Sequence, residues 1–569
     1  MPPADADVDV DVLIVGGGPV GLTARALLER WGVRVLLVEK HRELSPFPRS
    51  RLVNVRSMEI FRQLGLAAKI TDAAFAPEYG RIRFRDTLDG HDLASAAMIG
   101  VNAPIPESPA IGVVTSQDRL EPTLVAAADG EIQFGVELVG LAEGFEEPRE
   151  SRESGEPRES GESGEPRESG ESGESQCVVA SLVERPSGAE RRVRARYVLA
   201  ADGANSTARQ LLGIGTVGPS ALASITTVVF DADLGPWSAD RPAGVYLTGH
   251  GSLLPIYPEG GWAWIIPTPE DAEHADWSGL VSRALGTGVD VRAEVSRVQH
   301  WVMNAFITER FGRGRVLLAG DAAHAIPPAG GLGMNVGIAD VHNLCWKLAG
   351  VVQGWAGPRL LGTYETERRP VAHQNLDQAV VNARLMSPTL PRRDEQLPAD
   401  GAAPAEAAAP WPERYFAQLG LVLGVSYRSD AVLTDHSTPA EPSDGDTKAD
   451  SGTDYIPTAA PGHRMPHTWL SQDRSTLDTL GEWFTLLTPD PSAWEQHPTT
   501  PWPLHVEPLP HEHIDLYGVG PHGALLVRPD GHVAARWPDR PSGDANSGSG
   551  LRHALATLTS SAPSEPVSR

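Results

Sequence analysis

The sequence predicts an α/β protein in which a β–α–β unit opens the chain and an antiparallel sheet is inserted later. Three observations carry this prediction. An apolar strand, a glycine-rich turn and a helix follow one another at the N-terminus. Two further apolar strands each end at an Asp beside a Gly, and segments between these strands alternate apolar and polar residues. A chain of 569 residues is long enough for two or three domains.

The first element is the stretch "VGGGPVGLTARALL", residues 15–28, which follows an apolar strand over residues 8–15. Such an apolar run is typical of a buried parallel strand. A helix that starts at Pro19 and ends near Gly32, followed by the strand "VRVLLVE" ending at Glu39, completes the β–α–β unit. A glycine-rich turn without a ligand would also use these glycines, but the strand, turn, helix and acidic residue together favour dinucleotide binding.

The glycines of this turn have distinct physical roles in holding a pyrophosphate. Gly16 permits the tight turn, Gly18 lets the backbone approach the phosphates, and Gly21 lets the helix pack closely on the sheet. The helix N-terminus offers unpaired N–H groups to the phosphates. Glu39, followed by Lys40, lies where a carboxylate accepts hydrogen bonds from a ribose. This unit by itself does not distinguish NAD from FAD.

The second motif is "RYVLAADGANSTARQLLGI", residues 196–214, in which an apolar strand ends at Asp202 and Gly203. Ser206 and Arg209 follow on a predicted helix. Together with a third motif further along the chain, this pattern decides between the two dinucleotides.

The third motif is "GRVLLAGDAAHAIPPAGGLGMNVGIADVHNLCWKLAG", residues 314–350, in which a strand leads through Gly320 into Asp321. Asp321, at the C-terminal end of a strand, is able to hydrogen-bond a sugar-like hydroxyl chain. A Pro/Gly-rich turn follows, and then a helix from about Gly333. This second helix N-terminus reaches the same site, where it stabilises negative charge.

The three motifs, in this order and at this spacing, resemble those of the class A FAD-dependent aromatic hydroxylases, which have the para-hydroxybenzoate hydroxylase fold. More narrowly, the chain resembles the three-domain enzymes that hydroxylate aromatic polyketides. The family segment H-x-x-P-P-x-G-G-x-G-x-N is matched at every fixed position from His324 to Asn335. The resemblance implies a Rossmann-like FAD-binding domain of the glutathione-reductase type, an inserted β-sheet substrate domain and a C-terminal thioredoxin-like domain.

The resemblance also implies which residues hold FAD. "PFPRSRLVNVRSMEIFRQLGL", residues 46–66, resembles a segment that supplies an arginine near FAD, although the family usually has Ala where Ser50 stands. "VVTSQDRLEPTL", residues 113–124, resembles the stretch in which a Gln reaches the flavin. Asp321 is expected on the ribityl chain, and the backbone of 333–335 at the pyrimidine end of the isoalloxazine. The implied FAD-binding residues are Gly16, Gly18, Pro19, Gly21, Glu39, Lys40, Arg49, Arg56, Gln117, Asp202, Gly203, Arg209, Gly320, Asp321, Pro328, Gly331, Gly333, Met334 and Asn335.

The chain is expected to divide into an FAD-binding domain (1–80, 110–215 and 300–385), a substrate domain (81–109 and 216–299), a repeat loop (146–175), a linker with a helix (386–460) and a thioredoxin-like domain (461–569). The repeat loop contains "GEPRESGES" twice in tandem. Its composition cannot bury a core, so disorder is expected, either as a tolerated insertion or as an acidic interaction tail. The last domain has no C-x-x-C pair, so no redox role is assigned to it.

Composition excludes several classes of partner and compartment. The formal net charge of −26 argues against nucleic acid or an anionic membrane as a partner. Cys177 and Cys345 lie far apart and in no metal-ligand cluster, which favours a reducing compartment and predicts no metal site. The N-terminus is acidic, unlike a signal peptide, and no apolar run of about 18 residues is present, so a cytoplasmic location is expected.

The resemblance implies a monooxygenase reaction. NADPH or NADH reduces FAD, the reduced flavin takes O₂ to a C4a-hydroperoxide, and an electron-rich ring of a polycyclic aromatic substrate attacks the distal oxygen. The same motifs also serve a Baeyer–Villiger reaction on a ketone, or a non-oxygenating flavin-binding protein. NADPH is expected to bind transiently, with Arg209 as one candidate contact. No catalytic base is identified, and the protein is expected to be a monomer or a homodimer.

Aromatic residues on predicted strands of the substrate domain have two interpretations. Tyr246, Tyr257, Trp262 and Trp264 either line the pocket of an aromatic substrate or pack within the sheet. Trp262 and Trp264 are two residues apart, so they are expected to share one face of a strand. His324 is interpreted as a structural turn residue rather than a catalytic one.

Overall fold

The computed structural model describes residues 8–145, 176–286, 291–386, 415–433, 454–494, 501–539 and 547–561. The predicted repeat loop and much of the predicted linker lie outside these residues. Within them, the chain forms three larger sheets and a two-stranded ribbon, with helices packed around the sheets. The predicted α/β class with an inserted β-sheet unit and a further C-terminal unit is confirmed.

The strands, numbered in chain order, are β1 Val8–Val15, β2 Val35–Glu39, β3 Leu52–Val53, β4 Arg81–Phe84, β5 Ala94–Ala97, β6 Val113–Val114, β7 Glu131–Phe134, β8 Val136–Phe145, β9 Gln176–Glu184, β10 Glu190–Ala200, β11 Thr216–Asp231, β12 Val245–Thr248, β13 Gly251–Tyr257, β14 Gly260–Pro267, β15 Glu294–Thr308, β16 Gly312–Arg313, β17 Val316–Leu318, β18 His324–Ala325, β19 Phe484–Thr488, β20 Leu504–Pro508, β21 Ala524–Val527 and β22 Val533–Trp537.

The α-helices, numbered in the same way, are α1 Pro19–Arg30, α2 Val55–Gln63, α3 Ala67–Asp72, α4 Gln117–Val125, α5 Thr207–Leu211, α6 Gly235–Ser238, α7 Trp277–Leu285, α8 Gly333–Gln353, α9 Gly362–Met386, α10 Leu419–Val422, α11 Pro491–Trp494, α12 Ile514–Tyr517 and α13 Ser547–Leu558. Among these described helices, none combines the length and the hydrophobicity needed to cross a lipid bilayer.

The first sheet contains the predicted β–α–β unit. Strands β17, β10, β1, β2 and β7 lie side by side in that order and run parallel. The β1 side chains Val12–Val15 are buried, as expected for a strand covered on both faces. Helix α1 begins at Pro19, whose missing N–H costs nothing in the first turn. Gly32 follows the helix with φ +72°, a left-handed conformation that suits glycine at a helix end.

The second sheet is an eight-stranded layer with the order β18-β15-β11-β14-β13-β12-β4-β5. Neighbouring strands within this sheet are antiparallel, except that β12 and β4 are parallel. The two longest strands of the chain, β11 and β15, pair along most of their length. Trp262 and Trp264 lie in the hydrophobic core on one face of this sheet, which confirms that they share a face.

The third sheet, formed by the C-terminal part of the chain, has the order β20-β19-β21-β22. β19 and β20 are parallel, and the other pairs are antiparallel. β21 and β22 form a hairpin whose turn contains Asp530 and Gly531, and Gly531 has φ +78° there. Helix α8 is buried along most of its length, and Phe484 of β19 packs edge-on against Trp346 and Trp355, with ring centroids 5.7 and 6.2 Å away.

Buried charges join this C-terminal unit to the rest of the chain. Arg528 donates to Glu367 Oε1 at 2.6 Å and pairs with Asp530 Oδ2 at 2.5 Å. Lys347 Nζ lies 2.7 Å from the other oxygen of Glu367. Burial alone would raise the pKa of Glu367, but Arg528 and Lys347 outweigh it and hold the pKa below its usual range.

A second buried cluster lies nearby. Glu59 of α2 accepts hydrogen bonds from Arg464, Arg56 and Ser108. Burial would raise the pKa of Glu59, yet Arg464 and Arg56 lower it to about 2. The two clusters are named the charged seam, which comprises Glu59, Lys347, Glu367, Arg464, Arg528 and Asp530.

Candidate active site

A large cavity lies between the carboxyl ends of the first sheet's parallel strands and one face of the second sheet. Its volume is about 2210 Å³, roughly twice the upper end of the range that is usual for ligand pockets. The carboxyl edge of a parallel sheet is where ligands bind in such folds. The cavity therefore has the right position for a nucleotide and room for a second molecule.

The glycine-rich turn forms one end of the cavity. Gly16 has φ +110°, and a Cβ there would lie 2.3 Å from the carbonyl oxygen of Ala201. A Cβ on Gly21 would lie 2.0 Å from the carbonyl oxygen of Gly16, so only glycine allows α1 to pack this closely. By contrast, a Cβ on Gly18 would meet no described atom within 4 Å, so its backbone faces open space. This geometry fits a phosphate group at the N-terminus of α1.

Glu39 lies at the end of β2 beside this turn. Its Oε2 accepts a hydrogen bond from the Gly17 N–H at 2.7 Å, and its Oε1 accepts one from the His41 N–H at 2.9 Å. These bonds fix the carboxylate at the cavity, which Lys40 also lines. The predicted ribose-binding position is thus built by the strand end and the turn together.

The two predicted acidic residues reach the same cavity from neighbouring strands. Asp202 Oδ2 accepts a hydrogen bond from the Ala208 N–H at 3.1 Å, whereas its Oδ1 is buried and has no described partner. Asp321 is accessible from the cavity, and desolvation there raises the pKa of its carboxyl against the charges of His324 and Arg49. Two carboxyl groups with unmet hydrogen-bonding capacity fit a ligand that carries hydroxyl groups.

The Pro/Gly-rich turn lies opposite the first turn and ends at the start of α8. Among the described residues no side chain caps this helix, so its first N–H groups and positive dipole end are available to an anion. Asn335 holds the turn in place, because its side chain bonds the Asn54 N–H and the carbonyl oxygens of Leu52 and Gly331 at 2.7 to 2.9 Å. The residues of this stretch that were predicted to bind the cofactor and that line the cavity are Pro328, Gly331, Gly333 and Met334.

Gln117 and Arg49 also line the cavity. Gln117 is the first residue of α4, and its Nε2 donates to Glu121 Oε1 at 2.7 Å. Glu121 is 1% exposed, and its Oε2 has no described partner. Burial raises the pKa of Glu121 to about 7, although the hydrogen bond from Gln117 acts in the opposite direction. Glu121 was not predicted, but its position four residues after Gln117 on a helix places both on one face.

Not every predicted residue lines the cavity. Arg56 donates to Glu59 at 2.9 Å and to the Asp530 carbonyl at 2.7 Å, so it lies at the charged seam and outside the cavity lining, and its contact with the cofactor stays a prediction. Arg209 is buried and donates to the carbonyl oxygens of Ala204 and Ala322, so it joins the second and third motifs, and its contact with NADPH stays a prediction. The remaining predicted residues outside the lining, Gly21, Gly320 and Asn335, support the two turns from behind.

The interpretation of the four aromatic residues as pocket lining is corrected. Trp262, Trp264 and Tyr246 pack in the core on the far face of the second sheet. Tyr257 donates to Asp118 of α4 at 2.6 Å and does not line the cavity either. Because side chains alternate along a strand, residues between and opposite these aromatics face the cavity. Those with apolar side chains are Ile82, Phe84, Ile225, Val229, Val245, Leu247, Leu254, Ala263, Ile265, Trp301 and Met303, and polar residues of the same strands, such as Thr227, Ser252 and Gln299, also line the cavity.

His324 has a structural role. It is fully buried, and its Nε2 lies 2.6 Å from Asp340 Oδ2. Asp340 also accepts a hydrogen bond from Arg368 at 2.8 Å and one from the Gly320 N–H at 3.1 Å. This network holds the turn that presents Asp321 to the cavity, as expected for a turn residue.

Comparisons with known proteins agree with this geometry. Residues 9–162 and 168–379 match the family model described as FAD binding domain, and residues 458–562 match the model described as aromatic-ring hydroxylase, C-terminal. Aklavinone 12-hydroxylase DnrF of Streptomyces peucetius is 34% identical over 517 residues, which cover 87% of this chain and 94% of that protein.

Two solved structures show the same fold over nearly the whole length. The flavin-dependent monooxygenase PieE, in complex with FAD and substrate, superposes with a TM-score of 0.81 at 31% identity, covering 98% of this chain and all of that one. A ternary complex of aklavinone-11 hydroxylase with FAD and aklavinone has a TM-score of 0.77, the same identity and the same coverage. The cofactor of this fold is FAD, and the phosphate, hydroxyl and anion positions described above fit it. The chain therefore belongs to the FAD-dependent aromatic-ring hydroxylases, flavoprotein monooxygenases with the para-hydroxybenzoate hydroxylase fold.

Proposed function

We propose that this protein uses NADPH or NADH and O₂ to insert one oxygen atom into a polycyclic aromatic polyketide. The observation that carries the proposal is the size and lining of the cavity, which exceeds the needs of one cofactor and has an apolar wall. A flat, apolar ring system of several fused rings fits such a wall. Relatives named for aklavinone hydroxylation support the same substrate class.

FAD, when bound, supplies the activation of O₂ and the transfer of one oxygen atom. The chain positions it. The backbone at Gly18 approaches the phosphates, Glu39 takes the ribose, and Asp202 and Asp321 take hydroxyl groups. The N-terminus of α8 stabilises negative charge on the ring system. Apart from Arg56, the cavity-lining and supporting residues predicted from sequence form this proposed site.

The apolar wall of the second sheet has a second task. Side chains such as Ile225, Ala263 and Ile265 exclude water from the space beside the ring system. Water exclusion strengthens electrostatic interactions and protects reactive groups from hydrolysis. The sheet is thus proposed to hold the substrate's rings while the first sheet holds the cofactor.

The proposal is tested by the absorbance spectrum of the purified protein, NADPH oxidation with a panel of polycyclic phenols, and mass analysis of the products. A flavin spectrum, substrate-stimulated oxidation and a product with one added oxygen and intact rings are expected. A ring-opened or lactone product would replace hydroxylation by Baeyer–Villiger chemistry. No oxygen uptake with any phenol of the panel would contradict the proposed substrate class. A Gly18→Val variant, in which the phosphate position is blocked, serves as the control for cofactor dependence.

A further inference from the structure

Arg51 is a half-buried residue whose guanidinium has two buried nitrogen atoms with unused hydrogen-bonding capacity. It follows Arg49 by two residues, directly before β3, and it lines the cavity. Its Nη1 donates to the carbonyl oxygen of Gly244 at 2.8 Å. Its Nε and Nη2 are buried and have no partner in the described part of the chain. No carboxylate among the described residues pairs with it.

The surroundings of Arg51 do not compensate its charge. The guanidinium carbon lies 5.3 Å from the centroid of the Phe75 ring, a cation–π contact with a neutral group. Burial lowers the pKa of Arg51 to about 9, and no carboxylate acts against this. An enclosed guanidinium with free donors is costly unless something supplies acceptors.

The position of Arg51 is between the two halves of the cavity. Its hydrogen bond to Gly244 ties it to the loop before β12, in the second sheet. Its chain neighbour Leu52 lies against the Pro/Gly-rich turn, since a Cβ on Gly331 would be 2.7 Å from Leu52 Cδ2. A group held here by Arg51 would lie between the Pro/Gly-rich turn and the second sheet.

We propose that Arg51 binds an oxyanion of the substrate, the ionised phenol or enol oxygen of the polycyclic ring system. This inference rests on the proposed function. The planar guanidinium offers its free Nε and Nη2 as two donors to one oxygen acceptor group. The phenol proton passes to solvent as the substrate binds, and the remaining phenolate makes the ring more electron-rich. Arg51 would thereby select acidic phenols over their ethers and prepare them for attack on an electrophilic oxygen.

The test uses the oxidised, FAD-loaded protein without NADPH, so binding is measured whether or not oxygenation occurs. The probes are 1,2-dihydroxyanthraquinone and its dimethyl ether, which differ in their ionisable oxygens. Absorbance beyond the flavin bands reports the ionised phenol and gives the pKa of the bound probe, and equilibrium dialysis gives the dissociation constants of both probes. The variants are Arg51→Met and Arg51→Lys, with Arg42→Met as the control that removes an exposed cation from the rim.

In the wild type we expect the phenol to bind more tightly than the ether and to ionise at lower pH than in water. Arg51→Met should weaken phenol binding roughly 100-fold, as for loss of one partner of a buried charged pair, and return the bound pKa to its solution value. Binding of the ether should not change. Arg51→Lys should retain the pKa effect in part, because it keeps the charge but loses the planar donors.

Three results would overturn the proposal. In the first, the wild type does not prefer the phenol to the ether. In the second, Arg51→Met weakens both probes equally, or weakens the phenol no more than Arg42→Met does, which indicates a structural role. In the third, probe binding is unchanged but the flavin midpoint potential falls, which means that Arg51 faces the reduced flavin instead of the substrate. If Arg51→Met does not fold, Arg51→Lys carries the same comparison.

Discussion

The cavity and the charged seam both bury ionisable side chains, but they differ in whether the buried polar atoms have hydrogen-bond partners. In the seam, Glu367 and Arg528 are fully buried and joined by two hydrogen bonds of 2.6 and 2.9 Å. In the cavity, Arg51, Glu121 and Asp202 each keep at least one buried polar atom without a described partner. A protein interior rarely leaves such atoms unpaired. The difference separates residues that hold the fold together from residues that await a ligand.

The same contrast appears in the pKa values. Glu59 in the seam has its pKa lowered to about 2 by two arginines, which outweigh its burial. Glu121 in the cavity has its pKa raised to about 7 by burial, because no cation pairs with it as closely. For these two glutamates, the direction of the pKa shift rather than the depth of burial distinguishes the seam from the cavity.

The largest expected effect is at the seam. Glu367→Gln removes the negative charge between Lys347 and Arg528, so Lys347 loses its main counter-charge and Arg528 keeps only Asp530. We expect the free energy of unfolding in urea to fall by about 3–5 kcal/mol. The matched control is Glu273→Gln on an exposed loop, for which the change should stay within about 0.5 kcal/mol. If the two variants unfold at the same urea concentration, the seam does not stabilise the fold.

The next effect is a pH dependence at the cavity. The folded apoprotein retains a proton on Glu121 up to about pH 7, whereas the unfolded chain releases it near 4.5, the ordinary value for Glu. The stability that this proton contributes is present below pH 4.5 and is lost as the pH rises through 7. The loss amounts to roughly 3 kcal/mol. Glu121→Gln should remove it, so the difference in urea unfolding between wild type and variant should change with pH. Parallel curves, like those expected for the exposed Glu78→Gln, would contradict this.

A third test separates binding from folding at the glycine turn. Gly18→Val places a side chain in the open space assigned to phosphate and should weaken FAD binding on the order of 100-fold, or about 2.7 kcal/mol. The unfolding of the apoprotein should hardly change. Gly21→Ala should do the reverse, because its Cβ meets the Gly16 carbonyl oxygen at 2.0 Å and destabilises the packing of α1. Titration with FAD and thermal unfolding of both apoproteins check the pair. Equal losses in both measurements would mean that the two glycines share one role.

The smallest effect is expected at the partly exposed ion pair between Arg62 and Asp478. Arg62 donates to both oxygens of Asp478 at 2.7 and 2.9 Å, but the side chains are 33% and 25% exposed. Arg62→Ala should cost less than about 1 kcal/mol, because exposed ion pairs are solvated and screened. The cost should shrink further at high salt. A loss as large as that of Glu367→Gln would show that burial does not govern the strength of these pairs.

The N-terminal unit was predictable because each part has a local signal. The structure confirms the predicted strand to Val15, turn at Gly16 and helix from Pro19. These elements were predictable because buried strands need apolar runs and left-handed backbone angles favour glycine. The hairpin at Asp530 was predictable for the same reason. The strand ends that carry Asp202 and Asp321 also follow from apolar runs, and parallel topology brings them together.

Side-chain direction was harder to predict. Trp262 and Trp264 were correctly predicted to share a face of the strand. The alternation of side chains along a strand does not, however, tell which face of the sheet borders a cavity. Arg56 points to the Asp530 carbonyl instead of the cavity. This contact was not predictable from a local pattern, because the two residues are 474 positions apart in the sequence. Arg51 was not predicted as a site residue, because the sequence does not distinguish it from the other arginines of the same segment. Only the structure shows which of them lacks hydrogen-bond partners.

The charged seam has a consequence for how this protein can be divided. Two family models match separate stretches of the chain, which suggests two modules that could be exchanged between related proteins. Yet removal of the second stretch would expose the rings of Trp346 and Trp355 that Phe484 covers, and would strip Glu367 of Arg528. The two modules should therefore melt in one calorimetric transition. A transplanted FAD-binding module would then need a C-terminal partner that supplies the same cations.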